Sequence, residues 1–191
     1  MRTPVTLFLL IANIAIFLLQ LQASDGLIPR YALWPLGEGF QPWQLVTSAF
    51  LHGGMLHLAV NMFGVWTFGR ELEQALGPLR FLRLYAVSVL AAAATQLVAV
   101  HFGKPVPTVG ASGGLFGLLA AYAILFPDRK LLLLFPPIPL PAPLFVVLYA
   151  AFELYAGVTG TLSGVAHFAH LGGLAGGLLV LGKRRGRASR R

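Results

Sequence analysis

The chain has no cysteine among its 191 residues. That excludes disulfides, thiolate nucleophiles and thiolate-bound metals. Charge is nearly as scarce: 10% of residues are charged, against about 25% in a soluble domain. The acidic residues are six, namely Asp25, Glu38, Glu71, Glu73, Asp128 and Glu153. There is no pair of aspartates within apolar segments and no HExxH, so two known ways of cutting a peptide bond inside a membrane are missing. In place of charge stands apolar surface, with 57% hydrophobic residues and a mean hydropathy of +0.78. The composition predicts an all-α polytopic membrane protein: one membrane domain over 1–182 and a basic tail over 183–191.

Six apolar runs read as spans, at about 4–22, 46–68, 81–101, 111–126, 138–156 and 164–182, near the roughly 20 residues a bilayer requires. The first, after Arg2, reads as a retained span rather than a cleaved signal. The fourth is short: about 16 residues at 1.5 Å each reach about 24 Å. Its start, at Ser112, is therefore expected near mid-membrane, approached by a non-helical stretch over Gly103–Val109. Such backbone is tolerated at depth only when buried in protein or facing water. Six spans put both termini on one side. Lysine and arginine then divide 12 with the termini to 2, Arg30 and Lys104, opposite, which predicts cytoplasmic termini in a cell membrane. The formal charge of +8 is concentrated in the tail Lys183–Arg191. It reads as an anchor with contact to anionic lipid rather than a nucleic-acid site. The longest outer loop, about 23–45, holds Trp34, Phe40, Trp43 and several prolines and reads as an interfacial element. The proline-broken stretch Leu131–Pro141 reads as an interfacial approach to the fifth span.

The polar residues within the runs are few. The second carries His52, His57 and Asn61, with His57 and Asn61 four apart on one helix face. The fourth carries Ser112, with Gly113 and Gly117 in GxxxG spacing. The sixth carries His167 and His170, with Gly172/Gly176 and Gly173/Gly177 as overlapping GxxxG pairs. Small faces on the fourth and sixth spans predict close packing of those helices, which a Ser–His hydrogen bond requires. With only Glu153 inside a span, and no role assigned to it, a Ser-His-Asp triad lacks its acid. What remains is a Ser–His dyad with polar helpers.

His57-Leu58-Ala59-Val60-Asn61, Glu73-Gln74-Ala75-Leu76-Gly77, Gly110-Ala111-Ser112-Gly113 and Ala169-His170-Leu171-Gly172-Gly173, in this order and topology, resemble the rhomboid family of intramembrane serine proteases. The resemblance covers nearly the whole chain as a bare six-span core. It implies Ser112 as nucleophile and His170 as general base, with His57, Asn61 and the Ser112 backbone N–H stabilising an oxyanion. It also implies Phe116 packed on the histidine. No cofactor and no metal are implied, and the partners are transmembrane protein substrates. The site would open on the extracytoplasmic side. One departure stands out: where rhomboids often have Trp-Arg in the first loop, this chain has Trp43-Gln44.

Other readings of the same residues remain. Ser112 is also what a small-residue helix interface uses. His167, three residues from His170, is a second possible base. His52, His57, His167 and His170 suggest a metal site, disfavoured by the lack of a carboxylate in reach. Asn61 also suits a helix bridge. Glu73 and Arg70 read as a structural loop network, and His101 and Lys104 as rim residues. A catalytically inactive rhomboid-like protein that binds transmembrane segments is the main alternative. A small transporter is the second, against which stand the absent inverted repeat and the few charged groups.

Overall fold

The computed structural model describes residues 2–23, 26–101, 106–132, 137–162 and 164–188, with side chains described as far as residue 182. Asp25, Lys104, the first part of the approach to Ser112 and the side chains of the basic tail lie outside the described residues.

Helix α1 (Pro4–Gln22) opens with a proline at its first position, where the missing N–H costs nothing. Its next donors find an acceptor on α4 (Met55–Leu76). Glu73 accepts from the backbone N–H groups of Val5 at 2.9 Å and Thr6 at 2.8 Å, and from Thr6 Oγ1 at 2.7 Å. A carboxylate at a helix N-terminus is favourably placed, and this one ties α1 to α4. Glu73 is thus structural, as expected. Arg70 does not join it and lies over the Trp66 ring, 4.3 Å from its centroid.

Between these helices the loop forms two short turns, α2 (Ile28–Tyr31) and α3 (Gln44–Thr47), and a 3-10 turn over Ser48–Phe50. Gln44 is its hub. The side-chain oxygen accepts from the N–H of Trp34 and Gln41, and its amide donates to the carbonyls of Arg30 and Gly39. The second apolar run is therefore not one helix over 46–68. Gln44–Phe50 and α4 meet at 98°. The cause is at His52: its N–H donates to Gln20 Oε1 at 3.2 Å and its carbonyl accepts from Gln20 Nε2 at 2.6 Å. Both backbone groups that a continuous helix would use are taken by a side chain of α1.

Helix α5 (Pro78–His101) follows Gly77, and α6 (Ser112–Leu125) starts at the serine itself. A small antiparallel ribbon follows, β1 (Lys130–Leu132) with β2 (Pro139–Pro141), pairing Lys130 with Pro141 and Leu132 with Pro139. The all-α expectation needs this correction. Pro139 and Pro141 lack the N–H that a helix would require, so the fifth run becomes helical only as α7 (Ala142–Thr159), not from 138. The last helix is α8 (His167–Ala188).

Helices α1, α5 and α7 are each long and apolar enough to cross a membrane, and the bent pair makes a fourth if it forms one span. α6 and residues His167–Gly182 of α8 are shorter apolar helices. The fold is a helical bundle suited to a membrane.

At its centre α6, α8 and α5 touch backbone to backbone. A methyl group on Gly173 would strike the Gly113 carbonyl oxygen, and one on Gly177 the Gly117 carbonyl oxygen. The GxxxG faces pair as their spacing predicted. The other pair on α8 faces α5: a methyl on Gly176 would come within 2.9 Å of Ala91 Cβ and Ser88 Cα.

Candidate active site

Ser112 is the first residue of α6, after Ala111 at the N-cap. Three contacts fix the described part of its approach. Leu33 and Thr108 exchange backbone hydrogen bonds of 2.9 Å. Gln96 Nε2 donates to Thr108 Oγ1 at 3.2 Å. Gly110 N–H donates to the Ser48 carbonyl at 2.9 Å. Gly110 then turns with φ +131°, a conformation that suits glycine. First-turn N–H groups of a helix have no intrahelical acceptor, so the backbone around Ser112 offers donors at the positive end of α6.

His170 comes to the serine on α8, with Nε2 2.9 Å from Ser112 Oγ. The imidazole lies flat on Phe116, with ring centroids 4.2 Å apart and an interplanar angle of 8°. Phe116 in turn packs on Tyr149 of α7 at 4.9 Å. The ring is thus clamped, and its rotation about χ2 is blocked by an aromatic one turn beyond the serine.

His57 lies beside Ser112 across Gly110, and Asn61 follows one turn later on α4. A methyl on Gly110 would sit 2.9 Å from His57 Nε2 and 3.6 Å from Ser112 Oγ, so these two atoms border one small space. The Gly53 N–H donates to His57 Nδ1 at 3.2 Å. Nδ1 therefore holds a lone pair, and in the neutral ring the proton is on Nε2, facing that space. Asn61 Nδ2 donates to the His57 carbonyl at 2.8 Å and retains a second N–H; its Oδ1 is buried without a partner. His52 is fully buried, edge-on to His57 with centroids 5.1 Å apart, and its ring nitrogens have no hydrogen-bond partner. Beside Ser112 a water-sized recess of about 30 Å³ is bordered by Ser48, Thr108, Gly110 and Ala166.

His167 points elsewhere. Its Nδ1 lies 2.6 Å from Glu153 Oε2 and its Nε2 3.0 Å from the Thr161 carbonyl. Both ring nitrogens are occupied, which leaves His170 as the histidine that meets Ser112. Glu153 corrects the expectation that the site has no acid. It is 2% exposed, and its Oε2 also lies 3.0 Å from His170 Nδ1, a contact close enough for an ion pair but not aligned as a hydrogen bond. The signal was present in the sequence, because a lone carboxylate inside an apolar span calls for a named partner. What the sequence hid was the direction of α7, which brings residue 153 to residue 170.

The structure therefore splits the four-histidine set into His52/His57 and His167/His170. Among the described residues, the group with metal-ligand geometry is Glu153, His167 and His170, whose donor atoms lie within 4.8 Å of one another. Its two contacts to the carboxylate, 2.6 and 3.0 Å, are shorter than the about 3.3 Å between ligand atoms on a tetrahedral zinc with bonds of about 2.0–2.1 Å. A shared proton accounts for the 2.6 Å contact of His167 with Glu153.

The Rhomboid domain profile matches residues 39–185. Among curated proteins, the chain is 33% identical over 171 residues to Rhomboid protein 1, mitochondrial, of Saccharomyces cerevisiae, covering 87% of this chain and 49% of that one. It is 33% identical over 139 residues to Rhomboid protease GluP of Bacillus subtilis, with 72% and 25% covered. It is 30% identical over 182 residues to Rhomboid protease GlpG of Yersinia enterocolitica, with 93% and 61% covered. The chain thus spans between a quarter and about three-fifths of the length of these relatives. A profile match across most of the chain, over the segment that holds Ser112 and His170, makes this chain a member of the rhomboid family.

Proposed function

We propose that this chain is an intramembrane serine endopeptidase that hydrolyses peptide bonds in or near transmembrane segments of membrane proteins. The observation that carries the reading is the 2.9 Å contact between Ser112 Oγ and His170 Nε2. It lies at a helix N-terminus, inside a largely apolar bundle. A polar pair at such a place is costly unless it serves a site.

In the proposed reaction Ser112 Oγ attacks the scissile carbonyl carbon while His170 Nε2 takes the hydroxyl proton. The carbonyl oxygen becomes an oxyanion in the space bordered by His57 Nε2 and Ser112. The Ser112 backbone N–H, His57 Nε2–H and the free N–H of Asn61 are its donors. His170 returns the proton to the leaving amine, and the acyl-enzyme forms. A water then gives a proton to His170 and attacks the ester carbonyl; as the ester C–O bond breaks, His170 returns that proton to Ser112 Oγ and the acid leaves. The recess beside Ser112 suits the supply of that water.

The placement belongs to the same reading. Six spans result if the bent pair, α6 and α8 each cross, with α6 starting below the membrane surface. The division of lysine and arginine supports cytoplasmic termini in a cell membrane and a site open to the extracytoplasmic side. Gln44 takes the place of the family's loop arginine as a neutral hub, so the loop is held without charge.

A fluorophosphonate probe tests the chemistry without a substrate. Labelling of the wild type at Ser112, lost in Ser112→Ala and His170→Ala, is the expected result. A folded wild type that does not label would favour an inactive, segment-binding member of the family.

A further inference from the structure

A base that accepts a proton at Nε2 must carry its own proton on Nδ1. In His170 that nitrogen faces α7 and lies 3.0 Å from Glu153 Oε2. We infer that Glu153 is a positioning residue for His170: it holds the ring in the Nδ1–H tautomer and offsets the positive charge that forms when His170 takes the Ser112 proton. The inference rests on the Ser112/His170 reading above.

Three further observations support it. The first is the state of His167. The Thr161 carbonyl can only accept, so His167 Nε2 carries a proton. The 2.6 Å contact between His167 Nδ1 and Glu153 Oε2 then holds one proton, whichever atom bears it. The pair is neutral as a unit, which makes a carboxylate tolerable at this depth. The second is that the same carboxylate oxygen, Oε2, is held by His167 and lies against the base. The third is the flat contact of His170 with Phe116, which fixes the ring plane so that one nitrogen faces Ser112 and the other Glu153. The unaligned 3.0 Å contact fits a site without substrate, where such bonds are often loose and tighten in the complex.

A bland alternative is that Glu153 only fastens α7 to α8. Glu153→Gln separates the two. The amide keeps the volume, and an oxygen at the Oε2 position can still accept from His170 Nδ1–H, but the negative charge is lost and the same atom cannot also donate to His167 Nδ1. The inference predicts kcat lower by about 10²-fold and KM within about twofold, in a folded protein whose unfolding midpoint falls by no more than the loss of one hydrogen bond gives. Glu153→Asp should recover part of the lost kcat. The rate of fluorophosphonate labelling at Ser112, which needs no substrate helix, should fall with kcat in the Gln variant. A Gln variant with wild-type kcat and labelling, or one whose loss is all in KM or in stability, would overturn the inference.

A second measurement needs no variant at Glu153. The chain has five histidines, so ¹⁵N spectra of histidine-labelled protein can be assigned by single substitutions. Wild-type His170 is expected as the Nδ1–H tautomer, and finding it as Nε2–H would refute the inference. The two proposals fail differently. A folded wild type that neither labels nor cleaves removes the dyad reading and this inference with it. A wild type that labels while Glu153→Gln is unaffected removes the inference alone.

Discussion

Helices α6 and α7 both flank His170, yet they are held in the bundle by different means. α6 is buried over nearly its whole length, from Gly113 to Ala123, and meets α8 through glycine backbones that leave no room for a side chain. α7 buries only Ala142, Glu153 and Ala156, and 17% of its most apolar window is covered by protein. Val147, Tyr155 and Val158 are more than 60% exposed. Ser112 and His170 thus sit on a backbone-to-backbone seam, whereas Glu153, beside His170, arrives on a helix with few buried anchors. Packing density is spent where the Ser112–His170 distance is set, because an interhelical hydrogen bond tolerates little drift.

The same substitution made on the two seams should give very different results. Gly173→Ala has the larger effect. Its methyl would meet backbone, the Gly113 carbonyl and, at 3.1 Å, the Gly113 Cα, and backbone cannot rotate away. We expect a loss of about 3 kcal/mol or more and no cleavage, measured by thermal unfolding in detergent alongside activity. Gly157→Ala on α7 meets only side chains, the Phe168 ring at 3.1 Å and His167 Cβ at 3.2 Å. The Phe168 ring can yield, so a cost of about 1 kcal/mol is expected, with activity reduced less than tenfold because His167 is disturbed. Smallest is Val158→Ala, 73% exposed on α7, which should change stability by no more than about 0.5 kcal/mol. If Gly173→Ala were as mild as Gly157→Ala, the contrast between the seams would be wrong. Glu153→Gln sharpens the contrast from the other side, since it alters the link between α7 and the base while leaving the glycine seam intact.

Much of the seam was legible in the sequence, because GxxxG spacing is a local pattern and its consequence, close approach, is nearly independent of what surrounds it. Ser112 and His170 were legible for the same reason, as polar residues beside small ones in apolar runs. The stack of Phe116 on His170 followed from resemblance to the family. What the sequence concealed depends on long-range geometry. Gln20 reaches across 32 residues to cap the break in the second run at His52; Gly53-Gly54 mark the break locally, but nothing near His52 announces its partner. Glu153 was visible as the lone carboxylate of the spans, but its partners lie 14 and 17 residues ahead across a turn, and only the pose of α7 against α8 brings them together. Gln44 had an identity in the sequence and no function there; as the hub of the loop it is defined by four partners that the fold assembles.

The central claim is that Ser112 and His170 form one catalytic unit. The most direct test is cleavage of a fluorescently tagged single-span substrate in liposomes by the wild type, Ser112→Ala and His170→Ala, with each variant shown to be folded. Removing either member should lower the rate by about 10³-fold or more, and the double variant should be no worse than the single ones, because the two act together. Cleavage by Ser112→Ala at the wild-type rate would contradict the account.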